Sequence, residues 1–276
     1  MARLARRSRC PDVRKSLTSP PQHNPLISSI MVNLCRELIK GVSNMQSAIK
    51  GTTMPVLEVM LERSEAVYTP HGELVWMNKS IHMSQTTNTG GGGLLRGIKR
   101  MMGGGGLFVT KYEGPGQVAF AARLPGQIVP VDIAHGEHYL VHKHGWLAST
   151  HGVRASVGVQ HSIRGGLFGG EGFIMQRLEG EGTAWVEVGG ELMMYDLDRG
   201  EQMLAHPGHI GMFAGSVKFS ITRVKGIRNM LFGHDGLLLA ELTGPGRVWL
   251  QSMPVPILAG ALSPYIAEAM AEEEEK

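Results

Sequence analysis

The stretch HGEHYLVHKHGWLASTH places His135, His138, His142, His144 and His151 within seventeen residues. Imidazole is the commonest protein ligand for zinc, and His142 and His144, two apart on a strand, would share one face and could hold a metal ion together. No Asp or Glu sits close enough to His142 and His144 to complete a ligand set convincingly. The matching stretches elsewhere, TPHG and HPGH, read as turns in which a polar residue beside glycine needs no metal. The second chemically suggestive stretch is TGGGGLLRGIKRMMGGGGLF, residues 89–108. A phosphate-binding loop requires Gly-x-x-x-x-Gly-Lys followed by Ser or Thr, whose hydroxyl reaches a metal ion. Here Gly92 and Gly97 are followed by Ile98 and Lys99, with no hydroxyl and no strand-to-helix setting. In a helix, Leu94, Leu95, Ile98, Met101 and Met102 would share one face and Arg96, Lys99 and Arg100 the other, which suits a short foot on an anionic membrane or a partner. Loops capping the ends of a β structure, with glycines supplying positive φ, explain the same residues.

Other chemistry finds no support. There is no Gly-x-Ser-x-Gly, and Ser80, Ser84, Ser149 and Ser156 have no nucleophile motif around them. Paired carboxylates for acid–base work are not identifiable. Cys10 and Cys35 both lie in the first fifty residues, so the rest of the chain has neither an internal disulfide nor a thiolate metal site. The sequence predicts no catalysis and no cofactor.

The charge is unevenly placed. Residues 1–50 carry nine Lys or Arg against two acids, residues 51–256 are balanced, and the tail from Ile257 ends in EEEEK. The alkaline pI of about 8.9 therefore belongs to the leader, and the body has no excess charge with which to attract nucleic acid. The start, MARLARRSRCPDVRKSLTSPPQ, is rich in Arg and Ser and has no apolar core, as an organelle transit peptide would be. A disordered leader with Met31 or Met45 as the true start accounts for it equally. Location follows that choice: mitochondrial and peripheral to the inner membrane with a transit peptide, cytoplasmic in a prokaryote. Ile27, Ile30, Met31, Leu34, Leu38 and Ile39 predict an amphipathic helix near residues 26–42.

The elements that must position these residues are strands. Runs such as VLEVML, AVYT, QVAFAARL, TAWVEV and RVWLQ, separated by Gly, Pro or His turns every ten residues or so, predict an all-β body over residues 51–256. A helix and an acidic tail are expected over 257–276. The body repeats: GLFVTKYEGPGQVAF, GFIMQRLEGEGTAWV and GLLLAELTGPGRVWL share a glycine followed eight residues later by Gly-x-Gly. A second element recurs as GEHYLVHKHGWLAS and GEQMLAHPGHIGMF, with AVYTPHGELVWM as its displaced third copy. This predicts three related units closed into a ring, the last unit shared between the two ends, so that no sheet edge is left exposed. A rotational repeat would gather GIKRMMGGGG, SIRGGLFGGEG and GIRNMLFGHDG on one rim. Arg96, Lys99, Arg100, Arg164 and Arg228 would supply its charge, and Leu95, Ile98, Met101 and Phe168 its apolar contacts.

PVLEVMLERSEAVYTPHGELVWMNKSI, GLLRGIKRMMGGGGLFVTKYEGPGQVAFA, LPGQIVPVDI, GWLASTHGV, GLFGGEGFIMQRLEGEGTAWV and DGLLLAELTGPGRVWLQ resemble the altered-inheritance-of-mitochondria twenty-four family, from about Met45 to Met253. The resemblance implies an all-β fold similar to the tryptophan RNA-binding attenuation protein, a TRAP-like double-stranded β-helix or barrel with internal pseudo-threefold symmetry. It also implies no established catalysis, and an association of the fungal member with the mitochondrial inner membrane and its cristae-organising complex. The tryptophan and RNA sites belong to another family and none is transferred. The chain departs from the pattern at HKHG and in its fifty-residue leader. The combined expectation is a non-enzymatic scaffold or adaptor, a homo-oligomer whose basic and apolar rim engages an anionic membrane or a membrane-bound complex. The competing expectation is a β-barrel that binds a small molecule or metal through the His135 to His151 cluster.

Overall fold

The structure, a computed structural model, describes residues 45–70, 73–87, 108–161, 173–223 and 238–274. Each residue from Leu95 to Met101, with Arg164, Phe168 and Arg228, lies outside them, as does the helix expected near 26–42.

A leading strand, β1 (Gln46–Lys50), precedes three units of six strands each. The first unit is β2 (Val56–Leu61), β3 (Ala66–Thr69), β4 (Leu74–Met77), β5 (His82–Thr87), β6 (Phe108–Glu113) and β7 (Gly116–Ala121). The second is β8 (Gly126–Ile133), β9 (His138–His142), β10 (Trp146–Thr150), β11 (Val153–His161), β12 (Phe173–Gly180) and β13 (Gly182–Gly189). The third is β14 (Leu192–Leu197), β15 (Gln202–Ala205), β16 (Ile210–Ala214), β17 (Lys218–Arg223), β18 (Leu238–Thr243) and β19 (Gly246–Gln251). A single helix, α1 (Val255–Glu274), follows and leaves Ile257, Leu262, Tyr265, Ile266 and Met270 exposed. The body is all-β, as the alternating runs predict. It starts earlier than the charge boundary suggested, because β1 pairs antiparallel along β2 from Gln46 opposite Met60 to Lys50 opposite Val56.

Every unit is wired alike. Its fourth, fifth and second strands form one antiparallel trio, and its third, sixth and first strands another. The unit boundaries are crossed by pairing the second strand of one unit with the third strand of the next. Thus β3 pairs β10 with Tyr68 opposite Ser149, and β9 pairs β16 with Leu140 opposite Phe213. Even the irregularities repeat: the ladder to the sixth strand shifts between Leu74 and Trp76, between Trp146 and Ala148, and between Ile210 and Met212.

The repeated glycines are structural. Gly116, Gly182 and Gly246 have φ of 143°, 141° and 142°, backbone that a side chain rarely tolerates. A Cβ on Gly114, Gly180 or Gly244 would lie 2.2, 2.1 or 2.3 Å from a carbonyl oxygen of Glu62, Gly152 or Asp198. The tight turn into the sixth strand therefore demands glycine at both places. Trp146, Trp185 and Trp249 are buried in the core between the sheets, whereas Trp76 is exposed.

The predicted ring differs in two respects. AVYTPHGELVWM is not a displaced copy, since it forms β3 and β4 in their proper place in the first unit, so all three units are complete and nothing is shared between the ends. The barrel is also not closed. Three units joined in line make two boundaries, and the second strand of the last unit, β15, and the third strand of the first, β4, are left as sheet edges.

Candidate functional site

One end of the β body holds the histidine-bearing turns and the strand ends that frame the three hairpin connections. In each unit the second strand ends beside the open end of the hairpin formed by the fourth and fifth strands: Thr69 pairs with Thr110 near Phe108, and His142 with Met175 near Phe173. From there the chain passes in a few residues to the third strand, which starts beside the end of the sixth, as Trp146 opposite Val186 shows. The short turn ties the same end of one sheet to that of the next. The three hairpins β5–β6, β11–β12 and β17–β18, whose connections contain the basic and apolar segments, therefore open at the same end as the histidine-bearing turns. The linkers between units and the start of α1 lie there too.

At this end, where the first unit meets the second, a cleft of about 240 Å³ is lined by Arg123, His142, His144, Glu187, Gln251 and Val255 among others. Arg123 is held on its wall. Its backbone N–H donates to Glu187 Oε2 at 2.8 Å and its Nε to Glu187 Oε1 at 2.9 Å. Its Nη2 lies 3.0 Å from Glu73 Oε1 and donates to the His144 carbonyl at 3.2 Å. Burial, only partly offset by Arg123 and reinforced by the neighbouring Glu187, pushes the Glu73 carboxyl up to about 7. Burial also raises Glu187, against the hydrogen bonds and charge of Arg123. A guanidinium shared by two buried carboxylates thus meets both in one place, and the cluster takes up a proton near neutrality.

The two histidines proposed as ligands are committed otherwise. His142 ends β9, is partly buried, and its Nε2 lies 2.9 Å from the Glu187 carbonyl oxygen, so that nitrogen carries a proton and donates. Burial pushes its pKa down to about 4, which keeps the ring neutral. His144 lies in the following turn, its Nδ1 3.4 Å from Arg123 Nη1. The two therefore do not share a strand face. His151 Nδ1 is 2.8 Å from the Tyr68 hydroxyl, and His138 lies at the far end of β9. Among the described residues no group of three or more His, Cys, Asp or Glu is placed to hold a metal ion.

Sequence reasoning missed Arg123, Glu187 and Glu73, which are far apart in the chain. A signal existed in the repeat: Ala121, Glu187 and Gln251 occupy the same position at the end of the sixth strand. At the second boundary Gln251 does Glu187's work. Its Oε1 accepts from the Gly189 N–H at 3.1 Å and its Nε2 donates to the Gly208 carbonyl at 3.0 Å, while His209 Nδ1 lies 2.7 Å from the Gln251 carbonyl oxygen. Gly189 corresponds to Arg123 and Gly208 to His144.

With this geometry in hand, comparison with known proteins is decisive for descent. The mitochondrial biogenesis AIM24 family model matches residues 47–253, three quarters of the chain and all three units. The chain belongs to the AIM24 family. An uncharacterised protein of Streptococcus pyogenes serotype M6 is 26% identical over 220 residues, covering 77% of this chain and 87% of its own. The X-ray structure of another Streptococcus pyogenes protein superposes with a TM-score of 0.63 at 24% identity, over 80% of this chain and all of that one, which shows the shared fold. The AIM24 match ends at Met253, so the family unit is the β body, without α1. Among the described residues no helix is long and apolar enough to cross a membrane.

Proposed function

We propose that this AIM24 protein is a non-catalytic adaptor that docks the end bearing the three hairpin connections onto an anionic membrane surface or a membrane-bound complex. The observation that carries the reading is the equivalence of β5–β6, β11–β12 and β17–β18, which open towards a common end at matching register. The connections they bracket contain Arg96, Lys99, Arg100, Arg164 and Arg228 as the charge, with Leu95, Ile98, Met101 and Phe168 as the apolar contacts. Each cation near an anionic surface contributes about 1 kcal/mol, so five give reversible attachment without a spanning helix. The family's link to mitochondria and the Arg-rich leader support a peripheral position at the inner membrane.

Co-sedimentation of the full chain with vesicles containing or lacking cardiolipin, at low and high salt, tests this. Salt-sensitive binding to the anionic vesicles alone is expected, and changing the five basic residues to Ser should abolish it while the circular dichroism spectrum stays unchanged. A folded variant that sediments as the parent does, or a parent that binds neutral vesicles equally well, would refute the reading.

A further inference from the structure

Two sheet edges, β4 and β15, stand where the repeat elsewhere pairs strands across a unit boundary, and they expose apolar residues that are buried in their counterparts. Leu74, Val75 and Trp76 of β4 are 37%, 52% and 38% exposed, whereas their counterparts Trp146, Leu147 and Ala148 in β10 are at most 1%. The counterparts in β16, Ile210 and Met212, are likewise buried completely. On β15, Leu204 is 57% exposed, against 7% for the corresponding Leu140 of β9. Edge strands normally carry a charge or a proline that discourages further pairing. Here β1 has Lys50, β8 has Pro130 and Asp132, β11 has Arg154, β14 has Asp196, β17 has Lys218, and β5, HMSQTT, is polar apart from Met83. By contrast β4 reads LVWM and β15 reads QMLA, with neither device.

We propose that β4 of one copy pairs with β15 of a second copy, so that chains assemble head to tail through a third boundary of the kind the fold already makes twice. The occupant is fixed by the internal repeat. An edge like β4 is covered, at both existing boundaries, by the second strand of the preceding unit, and the chain has one such strand left over, β15, at its opposite end. The register follows as well. Tyr68 opposite Ser149 and Leu140 opposite Phe213 are the same pair of positions, and the remaining pair is Leu204 opposite Met77. Val67 opposite Thr150 and Tyr139 opposite Ala214 likewise place Met203 opposite Asn78. Within the chain β4 and β15 end different sheets, so the joint is between copies. Because the contact is between two different patches, it is heterologous, and it repeats the same unit-to-unit step across the chain boundary. Trp76, exposed in one copy, becomes the counterpart of buried Ala148 and Met212. The proposal is independent of membrane binding.

The test uses the full chain with Cys10→Ser and Cys35→Ser. Residues directly opposite in antiparallel strands have Cβ atoms about 5 Å apart, near enough for a disulfide after small adjustment. Met77→Cys and Leu204→Cys proteins, mixed and oxidised, should give a disulfide-linked two-chain species several-fold more abundant than either gives alone. The mass in solution should exceed one chain, and Leu204→Lys, an exposed change that leaves the fold intact by circular dichroism, should return it to a single chain. A monomeric parent, a disulfide that forms only within one chain carrying both cysteines, or equal cross-linking by either variant alone would overturn the proposal.

Discussion

The boundary between the first and second units and the boundary between the second and third perform the same task with different chemistry. At one, Glu187 receives the Arg123 backbone N–H and grips its side chain; at the other, neutral Gln251 receives the Gly189 N–H and reaches the Gly208 carbonyl. The neutral version shows that joining units requires no charge. What the first boundary adds, through Glu73, Arg123, Glu187 and the partly buried His142, is a dependence on protons that the fold does not need.

Breaking each joint in turn should separate the two. Glu187→Ala removes the acceptor of one backbone and one guanidinium bond and leaves Arg123 with Glu73 and the His144 carbonyl; urea denaturation should show a loss of about 3 kcal/mol. The proton dependence comes next. His142, held neutral with its pKa lowered from 6.5 to about 4, contributes stability that is present above pH 6.5 and lost as pH falls towards 4. Glu73, raised from 4.5 to about 7, contributes stability that is present below pH 4.5 and lost as pH rises through 7. Each can amount to about 3 kcal/mol at most, and between pH 4.5 and 6.5 they oppose one another. The parent protein should therefore have a nearly level urea midpoint across that range. Glu73→Gln should make the midpoint rise with pH there, and His142→Gln, which can still donate to the Glu187 carbonyl, should make it fall. A level profile in both variants would show that the cluster is inert to pH. The smallest effect belongs to the neutral joint, where Gln251→Ala should cost about 1–2 kcal/mol, unchanged between pH 5 and 8.

Much of the fold was legible because glycine left a mark that composition cannot blur. The eight-residue spacing to Gly-x-Gly reported a turn whose backbone excludes a Cβ, and it located every fifth and sixth strand. The number of units followed from it. Their closure did not, because pairing between distant edges leaves no local pattern: LVWM reads as core whether β4 is covered or bare. The histidine cluster resisted reading for a related reason. An imidazole that donates to a carbonyl forty-five residues away, as His142 does to Glu187, looks in sequence like a ligand. Arg123 and Glu187 escaped notice because an ion pair between separate units has no spacing to find, although the substitution of Ala121, Glu187 and Gln251 at one repeat position marked where to look.

The common end of the hairpins also divides the molecule into a rigid pole and a permissive one. At the Gly-x-Gly pole each connection between the fifth and sixth strands is only one or two residues long, and the first glycine is pressed against a carbonyl oxygen. The hairpin connections at the other pole run to 20, 11 and 14 residues between framing strands of matching register. Lengthening has thus been accommodated on one side alone, and a reporter peptide or small fused domain should be spliced between Thr87 and Phe108 rather than at Gly114–Gly116.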